Sequence, residues 1–148
     1  MERDETITLN LPSRLAYLDA VQGMAELLAS TAGFDEEARL DVGLAVREGT
    51  INAVKHGNGL DPAKTVILEF RLGSAALSIA IRDEGAGFEP RHTPDPTTPE
   101  NLWRSSGRGL LLMRSLVDEV RFERHESGME LVLIKNCPVD TERDEEVS

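Results

Sequence analysis

A single cysteine, Cys137, is all the thiol chemistry available to this chain of 148 residues. One thiol forms no internal disulfide, and no His or Cys lies near it at ligand spacing, so a disulfide scaffold and a cysteine metal site are excluded. It reads as a small hydrophobe near a strand end, in keeping with a reducing compartment. Long apolar runs are missing too. Nothing approaches the ~18 consecutive apolar residues of a membrane span, and the start Met1-Glu2-Arg3-Asp4-Glu5 is too charged for a secretory leader, so a cytoplasmic location is expected. Positive charge is scarce: 16 Lys plus Arg face 27 Asp plus Glu, a formal net charge of −11. Such a surface repels phosphate backbones and anionic lipids, and with no basic patch neither nucleic acid nor membrane is an expected partner. A phosphate ligand must then be held by backbone N–H groups, one or two placed cations and a metal. No Gly-Lys-Ser or Gly-Lys-Thr occurs, which excludes a Walker loop.

What is present is an ordinary globular composition, 40% hydrophobic and 29% charged, at a length that fits one domain of about 100 to 200 residues. Thr6 to Leu9 alternates as a short strand, and Pro12 stands where a first helical turn tolerates it. Leu15, Leu18, Val21, Met24, Ala25 and Leu28 then recur at helical steps until Gly33. Asp35 caps a second helix with Glu36 and Glu37 in its first turn, predicted to reach about His56 before Gly57 and Gly59 end it. On that helix Leu40, Leu44, Ile51 and Val54 share one side and Val42, Val46 and Ala53 another. Asp41, Glu48, Asn52 and Lys55 make a polar stripe between them, so a helix buried on both flanks is expected.

Val66, Leu68, Phe70 and Leu72, then Leu77, Ile79 and Ile81, alternate with wetter residues on either side of Gly73-Ser74 and predict a hairpin. Residues 88–106, rich in Pro, Thr and Ser, read as a long loop of the kind that serves as a functional lid. A helix over 107–118 and a last hairpin, 121–124 with 129–134 about Ser127-Gly128, complete the pattern. The expected architecture is an α+β two-layer sandwich, a mixed, mostly antiparallel sheet with helices on one face. It spans 1–137 and leaves 138–148 as an acidic, disordered tail.

Three motifs carry chemistry. Glu48, Asn52 and Lys55 are spaced four and three apart, and a walled-in carboxylate of this kind needs a partner. A side-chain amide is a hard oxygen donor suited to Mg²⁺, and a Glu one turn away can take a proton from a hydroxyl. Asp83-Glu84-Gly85-Ala86-Gly87 follows a strand, where two glycines let backbone approach a ligand and an Asp can accept from an exocyclic amine. Gly107-Arg108-Gly109-Leu110 ends the loop and opens a helix, a generic polyphosphate site. Each alone is common; in this order they are specific. The remaining candidates read as structural: His56 as a helix-end cation, Trp103 as a lid anchor, and His92 and His125 without metal partners at a useful spacing.

Glu-x-x-x-Asn-Ala-x-Lys-His-Gly at 48–57, Asp-x-Gly-x-Gly-Phe at 83–88, the lid, and Gly-Arg-Gly-Leu-Leu-Leu-Met at 107–113 resemble the N, G1 and G2 boxes of the GHKL (histidine kinase-like) ATPase superfamily. The resemblance covers nearly the whole chain, and 107–120 together with the small size is similar to the bacterial anti-sigma factor serine/threonine kinases. It implies a Bergerat ATP-binding fold with ATP and Mg²⁺ as cofactors. It further implies Asn52 as the Mg²⁺ ligand, Glu48 as general base and Asp83 as acceptor for the adenine amino group. Gly85 and Gly87 would flank the base, Gly107, Gly109 and Leu110 would lie at the phosphates, and Lys55 matches a lysine that relatives place near phosphate. Either Arg104, in Arg104-Ser105-Ser106-Gly107, or Arg108 would reach the γ-phosphate. The implied partners are a STAS-type anti-sigma factor antagonist, phosphorylated on serine or threonine, a sigma factor that is sequestered, and a second copy of the chain in a homodimer. A non-catalytic nucleotide-gated binding module and a switch kinase acting on a scaffold protein are the alternatives. Glu48 separates the first of them, because ATP binding alone requires no base.

Overall fold

Alternation gives each strand one apolar face, and that face is what the helices cover. The computed structural model describes residues 4–84, 107–125 and 128–138. In it β1 (Asp4–Pro12), β2 (Thr65–Gly73), β3 (Ala76–Asp83), β4 (Glu119–His125) and β5 (Gly128–Asn136) form one sheet in the order β1-β2-β3-β5-β4. All four described pairings are antiparallel, where a mixed sheet is expected. The cause is β4, which takes the edge and folds back as a hairpin, so that β5 enters beside β3 running the opposite way. Leu68, Phe70 and Leu72 of β2, Leu77, Ile79 and Ile81 of β3, and Leu131 and Leu133 of β5 are buried. They share one core with residues of α1 (Leu18–Thr31), α2 (Glu36–Asn52) and α3 (Gly107–Leu116), among them Val21, Val42, Val46, Leu110 and Met113. The two layers are as expected, and residues 139–148 lie outside the described residues, as does the lid segment 88–106.

Several local expectations change. Pro12 closes β1 opposite Thr65 instead of opening a helix; at the end of an edge strand its missing N–H costs no ladder bond. A 3₁₀ turn, Leu15–Tyr17, leads into α1. Leu15 and Met24 are exposed, and the covered side of α1 is Leu18, Val21, Ala25 and Ala29, whose small alanines allow close approach. Asp35 does cap α2, its Oδ1 accepting from the Ala38 N–H at 2.9 Å. Burial on both flanks of α2 is overturned, because Leu40 is 47% and Leu44 41% exposed. The helices form only one layer, so α2 buries the side carrying Val42, Ala45, Val46 and Gly49 and turns the opposite side to solvent. Gly49 sets its depth: a Cβ there would stand 2.7 Å from Ile81 Cδ1 and 2.8 Å from Leu131 Cδ2.

The α-helix also stops at Asn52 and not at His56. Ala53–Gly57 is a π turn, with the Asn58 N–H donating to Ala53 O and the Leu60 N–H to Val54 O, both at 2.8 Å. Leu60 follows Gly59, both at φ 62°, and a left-handed non-glycine residue costs roughly 1–2 kcal/mol. Wide turns of this type concentrate at functional sites. Here the turn delivers the end of α2 to the end of β3.

Candidate functional site

The site is built around the C-terminal half of α2. Asn52 is buried and Glu48 half-buried one turn before it. The Asn52 Nδ2 donates to the Glu48 carbonyl at 2.9 Å, which orients the amide and leaves Oδ1 as the atom that can face a ligand. Above them comes α3. A Cβ on Gly109 would stand 2.8 Å from Glu48 Oε1 and 3.3 Å from Asn52 Nδ2, so the first turn of α3 settles directly on these two side chains, and a larger residue there would push the Glu48 carboxylate aside. The far end of α3 is tied down by Lys135, whose Nζ donates to Leu116 O at 2.8 Å and stands 3.9 Å from Asp41 Oδ2. A lysine at a helix C-terminus satisfies a free carbonyl and favours the dipole. With Gly109 at Glu48 and Leu116 reaching Asp41 through Lys135, α3 runs antiparallel to α2. The N–H groups of its first turn, which have no acceptor within α3, and its positive dipole end therefore lie at the Glu48–Asn52 pair. A polyphosphate with Mg²⁺ fits this donor set: backbone N–H groups for phosphate oxygens and one hard amide oxygen for the ion.

The other end of the site is Asp83, the last residue of β3 and only 8% exposed. Its Oδ1 accepts from the Met129 N–H at 3.1 Å. Two glycines close on it. A Cβ on Gly57 would collide with the Asp83 carboxylate, and one on Gly128 would collide with the Asp83 carbonyl oxygen. From sequence Gly57 reads as a helix stop and Gly128 as a turn residue; both are needed here because any side chain would displace the carboxylate. Just beyond, Asn58 accepts at Oδ1 from the Glu84 N–H at 2.8 Å, and the Thr65 hydroxyl bonds the Glu84 carboxylate. The contacts to Asp83 and Glu84 join residues at least 19 apart in sequence, so no short window reveals them.

The remaining candidates divide. Leu110 is buried in the core beneath the first turn of α3. Lys55 is exposed on the π turn, where the smaller rotation per residue carries it off the line of Glu48 and Asn52. Gly107 and Arg108 open α3. Gly85, Gly87, His92, Trp103 and Arg104 lie outside the described residues. His125, read from sequence as without metal partners at a useful spacing, has Glu123 two residues before it on β4 and Glu130 across the hairpin, a group that could hold a metal ion. Glu123, His125 and Glu130 bring ligand atoms within 4.8 Å of one another, because Glu123 and Glu130 are cross-strand partners. Glu130 is already engaged: Arg82 Nη2 donates to Oε2 at 2.8 Å and His125 Nε2 lies 3.2 Å from Oε1. Burial pushes the Glu130 carboxyl up, but hydrogen bonds and charge from Arg82 and His125 outweigh it and hold the group below its usual range.

A helix layer on an antiparallel sheet, with an acidic strand end facing a glycine-opened helix across α2, defines a class. The family described as the histidine kinase-like ATPase domain matches residues 11–135, and the chain belongs to that family. It is similar to the serine-protein kinase RsbW of Listeria innocua, 28% identical over 137 residues that cover 88% of this chain and 87% of that one. It is similar also to the serine-protein kinase RsbW of Bacillus subtilis, 28% identical over 141 residues covering 87% and 84%. Among solved structures, that of the RsbU and RsbW domains of a Mycobacterium tuberculosis protein matches 91% of this chain with a TM-score of 0.65 and 18% identity. This chain spans 34% of that longer one, and the likeness concerns the fold.

Proposed function

We propose that the chain binds ATP with Mg²⁺ around the end of α2 and acts as a serine/threonine protein kinase on a STAS-type anti-sigma factor antagonist. In the same reading it sequesters a sigma factor, works as a homodimer and resides in the cytoplasm. The observation that carries the reading is the pairing of two unlike ends about one helix. Gly109 of α3 rests on Glu48 and Asn52, and Asp83 is held by Met129 beside Gly57. The first is suited to phosphates and the second to an amine donor. The relatives named serine-protein kinase support the reaction class.

Asp83 accepts a hydrogen bond from the adenine amino group, with Gly85 and Gly87 beside the base. Backbone N–H groups at Gly107 and Gly109 hold phosphate oxygens, with Lys55 and one of Arg104 and Arg108 supplying positive charge. Asn52 Oδ1 holds Mg²⁺, which when bound neutralises charge on the phosphates. Glu48 Oε1 takes the proton of the substrate hydroxyl as that oxygen bonds to the γ-phosphorus. The bond from that phosphorus to the β–γ bridging oxygen breaks, and ADP leaves. The test is calorimetry with ATP and Mg²⁺ on wild type and Asp83→Asn. The amide presents a donor or a weaker acceptor to the amine, so affinity falls by at least about tenfold. Unchanged affinity overturns the assignment.

A further inference from the structure

The end of β3 is set by one side chain that the three motifs do not include. Asn58, directly after the π turn, is 2% exposed and uses every polar atom of its amide. Its Nδ2 donates to Ser13 Oγ at 2.9 Å and to Thr65 O at 3.0 Å. Its Oδ1 accepts from the Glu84 N–H at 2.8 Å. Ser13, itself buried, follows β1, and its N–H donates to Lys64 O at 2.9 Å. One amide therefore ties the end of β1, the start of β2 and the exit of β3 to the end of α2. Only an amide supplies two donors and an acceptor at that length; Asp lacks the donors and Leu lacks all three.

The register shows what this holds. The ladder between β2 and β3 ends at Val66 opposite Asp83, so the next N–H, that of Glu84, has no strand partner on that side. Asn58 takes it. With Met129 fixing Oδ1 of Asp83 from β5 and Gly57 against its carboxylate, the Asp83 side chain and the backbone N–H that follows it are held from both sides of the strand end. A carboxylate discriminates purines by placement: adenine carries an amino donor where guanine carries a carbonyl acceptor. Held in place it accepts from the first and repels the second; displaced by about 1 Å it does neither well.

We propose that Asn58 is a positioning residue for base selectivity, which through Glu84 holds the Asp83 carboxylate where it accepts adenine and rejects guanine. This rests on the reading of Asp83 as the base-recognition group. The role predicts an effect confined to one end of the nucleotide, which a general loss of stability does not produce. The experiment measures ATP, GTP and inorganic tripolyphosphate binding by calorimetry, each with Mg²⁺, on the full chain as wild type, Asn58→Ala, Ser13→Ala and Asp83→Asn. For Asn58→Ala, ATP affinity drops about tenfold while GTP and tripolyphosphate stay within about twofold, so the ATP-to-GTP preference collapses by the same factor. A preserved preference, or parallel loss of ATP and tripolyphosphate, overturns the proposal. If Asn58→Ala lacks a cooperative unfolding transition, Ser13→Ala decides. It removes one of the two acceptors of the amide, and a loss of about two- to fivefold confined to ATP is expected; unchanged ATP affinity overturns the inference. Asp83→Asn separates the two failures. If it leaves ATP binding intact, the adenine reading itself fails; if it weakens ATP while Asn58→Ala does not, only the role of Asn58 fails.

Discussion

Glu48 and Asn52 sit one turn apart under the same glycine, yet their chemistry predicts different losses. A carboxylate that only receives a proton contributes to the rate, and Glu48→Ala is expected to slow phosphotransfer on the order of 10²- to 10⁴-fold with ATP affinity within a few-fold of wild type. An amide that holds the metal contributes to both, so Asn52→Ala loses Mg²⁺-dependent nucleotide binding and transfer together. Calorimetry paired with transfer of labelled phosphate to the proposed antagonist substrate checks the division; equal effects on binding would refute it. Both residues are legible in the sequence because a four-residue spacing on a capped helix leaves one outcome for direction. Gly57, Asn58 and Gly128 are not legible in this way. What they touch is Asp83 and Glu84, and nothing in their own windows points there.

Elements meet across the sheet in a row running from Arg82 on β3 through Glu130 on β5 to Glu123 on β4. Two carboxylates directly opposite one another repel, and Arg82 and His125 offset this at Glu130. Since the native carboxyl is held below its ordinary value, it contributes stability above an unfolded pKa of about 4.3, and that contribution is lost as pH falls through the lower native value. Glu130→Gln should therefore lower Tm by about 2–4 °C at pH 7, the effect of roughly one kcal/mol in a chain of this size. The difference from wild type should narrow below about pH 4. Calorimetric melts from pH 7 to pH 3 read this, and a gap independent of pH would show that the charge is not the cause. The hairpin itself is foreseeable from alternation, whereas the contact of His125 with Glu130 depends on strand register, which a turn of unspecified type leaves open.

The site draws on α2, α3, β3 and β5, all of which share one hydrophobic core. Nucleotide binding at the proposed site should thus couple to unfolding of the whole core. A ligand that binds only the native state at a hundred times its Kd adds about 2.7 kcal/mol, so saturating ATP with Mg²⁺ should shift a single transition upward by about 5–10 °C. Asp83→Asn at the same nucleotide concentration should lose about half of that shift or more, since a tenfold loss of affinity leaves about 1.4 kcal/mol. Two separated transitions, only one of them moved by ATP, would contradict a single cooperative unit.

Sequence alone determined what is periodic or local. Alternation named the apolar faces of β2, β3 and β5, the Asp35 cap began α2, and the order of Glu48–Asn52, Asp83 and Gly107–Gly109 pointed to the nucleotide site proposed above, since each rests on residues within one or two turns of one another. Tertiary structure decided which apolar stripes are covered. Leu40 and Leu44 repeat as regularly as Val42 and Val46, but a single helix layer has only one sheet to lie on, so the outer pair faces solvent. It also decided the geometry between motifs. The π turn after Asn52, the close packing of Gly57 and Gly128 on Asp83 and the Asn58 hydrogen bonds across three strands join segments distant in sequence, and spacing along a chain carries no information about which distant segment arrives.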